Sequence, residues 1–75
     1  MVSKKKFNSI GEIQKLQHLA TQCDLEVAIH SPDGLIRVDA KSFIGMFALD
    51  FEMPVYVVSE SEAFHKKIKN IGENI

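Results

Sequence analysis

Several features that mark particular classes of protein are scarce or absent in this sequence. The single cysteine, Cys23, cannot form an internal disulfide, and no charged-then-apolar leader stands at the N-terminus. No run of apolar residues approaches the ~18 that span a bilayer. These absences predict a cytoplasmic protein. A chain of 75 residues predicts one domain, over residues 1–75, with no room for a second functional unit.

An excess of one charge is also missing. The 9 basic and 10 acidic residues give a net charge of -1, which argues against nucleic acid or an anionic membrane as a partner. The only basic cluster is Lys4–Lys6. No aromatic residue is interleaved with it, so we interpret it as the solvated face of an edge strand or terminus.

The residues that carry catalytic or metal chemistry are few and scattered. His18, His30 and His65 fall, with Cys23, on three different predicted elements, and none has the spacing of a metal pair on one helix face or of a zinc knuckle. No glycine-rich phosphate loop is present, and no nucleophile, base and orienting residue can be assembled. We therefore expect no enzyme activity, no metal and no cofactor.

What the sequence does contain is a regular succession of strands and helices. A weak, edge-like strand is predicted over Val2–Phe7. Ser9 and Glu12 then have the spacing of a capping box, which predicts the start of a helix. Its apolar face is expected to consist of Ile13, Leu16, Ala20 and Cys23, at spacings of three and four residues.

A hairpin is predicted after this helix. Leu25–Ile29 alternates apolar and polar residues, Ser31–Gly34 has turn chemistry, and Leu35–Val38 is predicted to pair back. Val55–Val58 is the strongest predicted strand. A second capping box, Ser59 with Glu62, predicts a last helix that passes through Phe64, Ile68 and Ile71 and stops at Gly72.

Between these elements lies a short apolar stretch, Lys41–Leu49. Ser42 is a candidate helix N-cap, with Asp39 as its competitor. Five large apolar residues follow in seven positions, too many for one stripe of a two-turn helix to bury. The stretch is either a contact surface for a partner or a second copy of the chain, or fully buried core. The five residues are Phe43, Ile44, Met46, Phe47 and Leu49.

The resulting order, strand, helix, strand, strand, helix, strand, helix, predicts an α+β two-layer sandwich with helices on one face of an antiparallel sheet. Residues 24–27, 41–49 and 55–59 resemble HPr, the small histidine-containing phosphocarrier of the bacterial sugar phosphotransferase system. The most specific match is the pattern Lys-Ser-x-x-Gly-x-x-x-Leu, formed by Lys41, Ser42, Gly45 and Leu49. The resemblance implies an HPr-like open-faced sandwich of four strands and three helices.

In that family a histidine at the N-terminus of the first helix accepts phosphate from Enzyme I, and an arginine stands two residues later. Free N–H groups and a guanidinium suit a phosphoryl group. Counting back without gaps from Asp24, Ser9 falls at the histidine position and Gly11 at the arginine position. His18 lies roughly 13 Å further along the helix axis, at ~1.5 Å per residue. The resemblance therefore implies that the carrier site is lost.

The resemblance also implies a role for Ser42, which matches the serine that a kinase phosphorylates in HPr of many Gram-positive bacteria. Some relatives lack the carrier histidine, keep this serine and act in carbon catabolite regulation. We expect a non-catalytic regulatory or interaction protein with partners among phosphotransferase-system or regulatory proteins, contacted through Lys41, Phe43, Ile44, Met46 and Phe47. The alternatives are a functional phosphocarrier and a phosphate-independent binding module.

Overall fold

The computed structural model describes all 75 residues and contains three helices and one antiparallel sheet of five strands. In chain order the elements are β1 (Val2–Lys6), α1 (Ile10–Thr21), β2 (Ala28–His30), β3 (Arg37–Asp39), α2 (Phe43–Met46), β4 (Val55–Val58), α3 (Glu62–Lys67) and β5 (Glu73–Asn74). The first seven follow the order that the sequence predicts. The sheet has five strands and not the predicted four, because the C-terminal residues Glu73 and Asn74 pair with β1. The strands lie in the order β3-β2-β4-β1-β5.

The core lies between the helices and one face of the sheet. Ile29 of β2 pairs with Val57 of β4, and Val55 pairs with Lys5 of β1, so these side chains share a face. Buried residues from all three helices join the same cluster, which places the helices on that face. From the helices these residues are Leu16, Ala20, Met46 and Phe64.

The prediction that the first strand is a solvated edge strand is wrong. Strand β1 lies between β4 and β5, and Lys5 is only 1% exposed. Its Nζ donates to Ile71 O and to Asn74 Oδ1, both at 2.8 Å. Burial lowers the pKa of Lys5 below its ordinary value. The ammonium group therefore ties the C-terminal segment to the sheet while its neighbours remain more accessible.

The strand bounds also differ from the prediction. Strand β2 begins at Ala28 and β3 at Arg37, and both Leu25 and Leu35 are exposed. The turn between the strands is as expected, with Gly34 at φ +74°. Ser31 organises it, since its hydroxyl donates to Asp33 Oδ1 at 2.6 Å and accepts the Ile36 N–H at 3.0 Å. That short bond lowers the pKa of the Asp33 carboxyl below its ordinary value. These bonds add to the backbone bond from Ser31 N–H to Ile36 O, which closes the turn at 2.9 Å.

The first predicted helix cap is confirmed in part. Ser9 caps α1 by accepting the Glu12 N–H at 3.2 Å. The Glu12 carboxylate, however, accepts the N–H of Asn8 at 2.7 Å and that of Gly72 at 3.0 Å. It therefore links the start of α1 to the C-terminal segment. The helix ends at Thr21, so Cys23 lies beyond it and packs against the core.

The predicted cap of the last helix is wrong. Ser61, not Ser59, is the N-cap of α3, and its Oγ accepts the Phe64 N–H at 3.1 Å. Ser59 is buried directly after β4, and its hydroxyl accepts the N–H of Ser61 instead. Helix α3 ends at Lys67, earlier than predicted. Gly72, at φ +74°, then redirects the chain into β5.

Candidate partner-binding surface around helix α2

The backbone before α2 carries two separate side-chain caps. Ser42 is the N-cap, and its Oγ accepts the Gly45 N–H at 3.2 Å. Asp39 does not compete for this position, because its Oδ1 accepts the N–H of Lys41, the residue before the cap, at 2.9 Å. A Cβ on residue 45 would lie 3.2 Å from Ser42 Oγ, closer than ordinary contact. This geometry gives a physical reason for pairing serine and glycine at this spacing.

The segment before α2 is anchored to the body of the domain. The side-chain amide of Gln17, on α1, donates to Lys41 O at 2.8 Å. Ala40 is fully buried, and its N–H donates to Val27 O at 2.8 Å. These bonds fix Lys41 and Ser42 relative to α1 and the sheet. Ser42 itself remains exposed.

The five apolar residues of this stretch divide between core and surface. Met46 and Leu49 are 1% and 7% exposed, and both belong to the core. Ile44 and Phe47 are 84% and 65% exposed. Phe43 is half-buried and packs edge-to-face on Phe47, with ring centroids 5.2 Å apart. Met46 thus anchors the helix in the core, while Ile44 and Phe47 expose their apolar side chains to solvent.

We call this region the α2 surface. It consists of Lys41, Ser42, Phe43, Ile44 and Phe47. Exposed apolar side chains, those of Ile44 and Phe47, lie on it near the exposed Ser42, and exposed apolar patches mark contact sites. The only side-chain hydroxyl of the α2 surface is that of Ser42, which is exposed.

The residues that the sequence resemblance aligns with the HPr carrier site lie at the start of α1. Ser9 Oγ is the helix cap, and Gly11 lies in the first turn. The Glu12 carboxylate lies there and accepts the N–H groups of Asn8 and Gly72, and the bond from Asn8 N–H is the main cause of its lowered pKa. This end of the helix therefore already holds an anion. His18 lies further along α1, with Nε2 3.3 Å from the Gln22 amide nitrogen.

The histidines do not come together. No three His, Cys, Asp or Glu side chains form a group that could hold a metal ion. His30 lines a pocket of about 290 Å³ on the sheet, together with Arg37, Asp39 and Lys41. Side chains of both charges line it, so it does not select a ligand of one sign.

Sequence reasoning missed one pair of polar residues. Ser3 Oγ lies 2.6 Å from His65 Nδ1, although the two residues are 62 positions apart. No sequence motif marks such a pair, since the fold alone brings β1 beside α3. Each residue in isolation is unremarkable in the sequence.

Comparison with protein-family profiles, curated proteins and solved structures gives no match to this chain. No helix has the length and apolarity needed to cross a membrane. The resemblance to HPr thus rests on the residues quoted above and on the order of the elements.

Proposed function

We propose that this chain is a non-catalytic regulatory or interaction protein related to HPr, which binds a protein partner through the α2 surface and is controlled by phosphorylation of Ser42. The partner belongs to the sugar phosphotransferase system or to its regulation. The observation that carries the proposal is the exposed hydroxyl of Ser42 beside the exposed side chains of Ile44 and Phe47.

Two properties of the α2 surface support the proposal. First, Ile44 and Phe47 extend into solvent from a segment that Ala40 and Met46 fix in the core, so a partner meets a preformed surface. Second, Ser42 lies in the Lys-Ser-x-x-Gly-x-x-x-Leu pattern, and its Oγ already accepts a backbone N–H. Phosphate oxygens are stronger acceptors than a hydroxyl, so the modified side chain keeps this capping role.

Phosphorylation would change the partner preference of the α2 surface. A phosphoserine adds a charge of about -1.5 to -2 at neutral pH. At Ser42 that charge would lie beside the Lys41 ammonium and at the edge of the apolar side chains. An apolar partner would then bind more weakly because the phosphate must be desolvated, whereas a partner that offers arginine side chains would bind more tightly.

The test is intact mass spectrometry after incubation with ATP and the HPr kinase. We expect one stable phosphate on the wild type and none on Ser42→Ala. Ser9→Ala is the matched control, since Ser9 is also an exposed serine N-cap. Phosphate that persists on Ser42→Ala would contradict the assignment.

A parallel incubation with phosphoenolpyruvate and Enzyme I tests the phosphocarrier alternative. We expect no transfer, because the start of α1 offers neither a histidine nor an arginine. An acid-labile phosphate would overturn this expectation and assign carrier chemistry to one of the three histidines. No addition in either reaction would leave a phosphate-independent binding module.

Self-association through the α2 surface is tested by sedimentation at increasing protein concentration. A wild type that stays monomeric would leave the α2 surface to a different protein. If the wild type forms a dimer, Ile44→Ser should abolish it and Leu35→Ser should not. Leu35 is the matched control because both residues are 84% exposed and Leu35 lies outside the α2 surface. That result would assign the surface to a second copy of the chain.

A further inference from the structure

The imidazole of His65 forms hydrogen bonds with two serines, with the side chain of one and the backbone of the other. On one side, Nδ1 lies 2.6 Å from Ser3 Oγ. On the other side, Nε2 lies 3.0 Å from the backbone oxygen of Ser59. The three residues come from β1, from the end of β4 and from α3, so the tertiary fold holds the arrangement.

These contacts indicate which ring nitrogen of His65 carries a hydrogen and which has a free lone pair. A carbonyl oxygen only accepts hydrogen bonds, so Nε2 carries the hydrogen that it donates to Ser59 O. In a neutral imidazole Nδ1 then has a free lone pair, and the Ser3 hydroxyl must be the donor. A serine hydroxyl that donates to a neutral, oriented imidazole has the arrangement of a nucleophile and its general base. Here a backbone carbonyl fixes the tautomer, a role that a carboxylate has in serine hydrolases.

Ser3 and His65 open into a basic pocket of about 380 Å³. Both residues are only half-buried, so a small molecule can reach them. The charged side chains of the pocket are three lysines and one glutamate, a net charge of +2. They are Lys5, Lys66, Lys69 and Glu62.

Lys5 has a particular place in this pocket. It stands two residues after Ser3 on the same face of β1, and its Nζ donates to Ile71 O and Asn74 Oδ1. The pocket therefore combines a hydroxyl, its base and a cation whose position the fold fixes.

From this geometry we propose that Ser3 is a nucleophilic serine, activated by His65, that accepts an acyl group from small acyl phosphates. The basic pocket holds the phosphate of the donor. The outcome is a covalently modified Ser3, a site separate from the α2 surface and independent of the function proposed for it.

The step balances as follows. Ser3 Oγ attacks the carbonyl carbon and its proton passes to His65 Nδ1. The bond between the carbonyl carbon and the bridging phosphate oxygen breaks, and the departing phosphate takes the proton from Nδ1. The products are an ester on Ser3 and inorganic phosphate, so no oxidant or further reactant is needed.

The reaction requires the neutral form of His65, because a protonated imidazole has no lone pair to accept the serine proton. The other titratable groups that line the pocket are the amino group of Met1, Lys5, Glu62, Lys66 and Lys69.

The experiment uses acetyl phosphate as the probe, with the acetylated residue located by fragmentation mass spectrometry. Hydroxylamine distinguishes an ester on Ser3 from amides on the neighbouring lysines, because it cleaves only the ester. We expect a hydroxylamine-sensitive acetyl group on Ser3 that is absent from Ser3→Ala. His65→Gln should slow the reaction about 100-fold, the lower range for loss of a general base. His18→Gln, at an exposed histidine outside the pocket, should leave the rate unchanged.

Three results would overturn the proposal: acetylation of lysines only, a phosphoryl group in place of the acetyl group, or equal rates for the wild type and His65→Gln. A cysteine at position 3 gives a second test, which does not depend on whether Ser3→Ala folds. In a Cys23→Ser background, Ser3→Cys should react with iodoacetamide about 10-fold faster when His65 is present than in the His65→Gln form, because an adjacent imidazole favours the thiolate. Equal rates would contradict a base at Nδ1.

Discussion

Two glycines with the same backbone conformation allow steric crowding to be separated from conformational preference. Gly34 and Gly72 both have φ +74°. A Cβ on residue 34 would meet nothing within 4 Å, whereas a Cβ on residue 72 would lie 2.9 Å from Phe7 Cδ1 and 3.1 Å from Lys6 O. The Phe7 ring is buried in the core and packs edge-to-face on Phe51, so it has little freedom to move away.

Alanine at either position adopts a left-handed conformation at a cost of about 1–2 kcal/mol. At position 72 the crowding against Phe7 adds about 1–3 kcal/mol, the usual cost of overpacking. We therefore expect Gly34→Ala to lower the free energy of unfolding by about 1–2 kcal/mol and Gly72→Ala by ~2–5 kcal/mol. A domain of this length has only ~4–11 kcal/mol in total, so the second loss is a large fraction.

Urea unfolding followed by far-ultraviolet circular dichroism measures both losses. The midpoint should fall for each variant with the slope unchanged, because each variant exposes the same surface on unfolding as the wild type does. Equal losses for the two variants would refute the crowding of residue 72 against Phe7. No loss for Gly34→Ala would refute the conformational cost assigned to both positions.

Three further predictions concern side chains. Met46→Ala should lower the free energy of unfolding by about 2–5 kcal/mol because it leaves a cavity, while Phe47→Ser should change it by no more than about 0.5 kcal/mol; urea unfolding measures both. The pKa of the Glu12 carboxyl is lowered in the folded state, so the stabilisation from its ionised form is complete above the ordinary value of 4.5 and is lost as pH falls through the folded value. Glu12→Gln should therefore make thermal stability less sensitive to acid. Lys5→Met should lower the free energy of unfolding in urea by about 1–3 kcal/mol, because two acceptors lose their donor. Lys4→Met, at the exposed neighbouring position, should lower it by less, and equal losses would contradict this reasoning.

The sequence predicted those elements whose signals are local. The Ser9 cap, the turn ending at Gly34 and the strand Val55–Val58 depend on neighbouring residues, and all three are present. The last helix shows the limit of such signals. The capping-box spacing of Ser59 and Glu62 predicts Ser59 as its cap. Ser59 is nevertheless buried at the end of β4, which leaves the cap to Ser61.

Non-local contacts account for what the sequence did not predict. Strand β5 has two residues, too few for a period-two pattern. It forms because Gly72 redirects the chain toward β1 and because Asn74 accepts the Lys5 ammonium. In the same way, composition placed five apolar residues around α2 but could not divide them. Only the packing shows that Met46 lies in the core while Ile44 is exposed.

The two proposed sites lie on different parts of the sheet, and this separation makes them independent. Helix α2 packs beside β3, which is one edge strand, whereas Ser3 lies on β1, next to the opposite edge strand β5. The Ser42 cap depends on a contact within four residues, while the Ser3–His65 pair depends on the docking of α3 beside β1. Ser42→Ala should therefore leave acylation of Ser3 unchanged, and His65→Gln should leave phosphorylation of Ser42 unchanged. If either substitution altered the reaction at the other serine, the two sites would have to share a conformational change of the whole sheet.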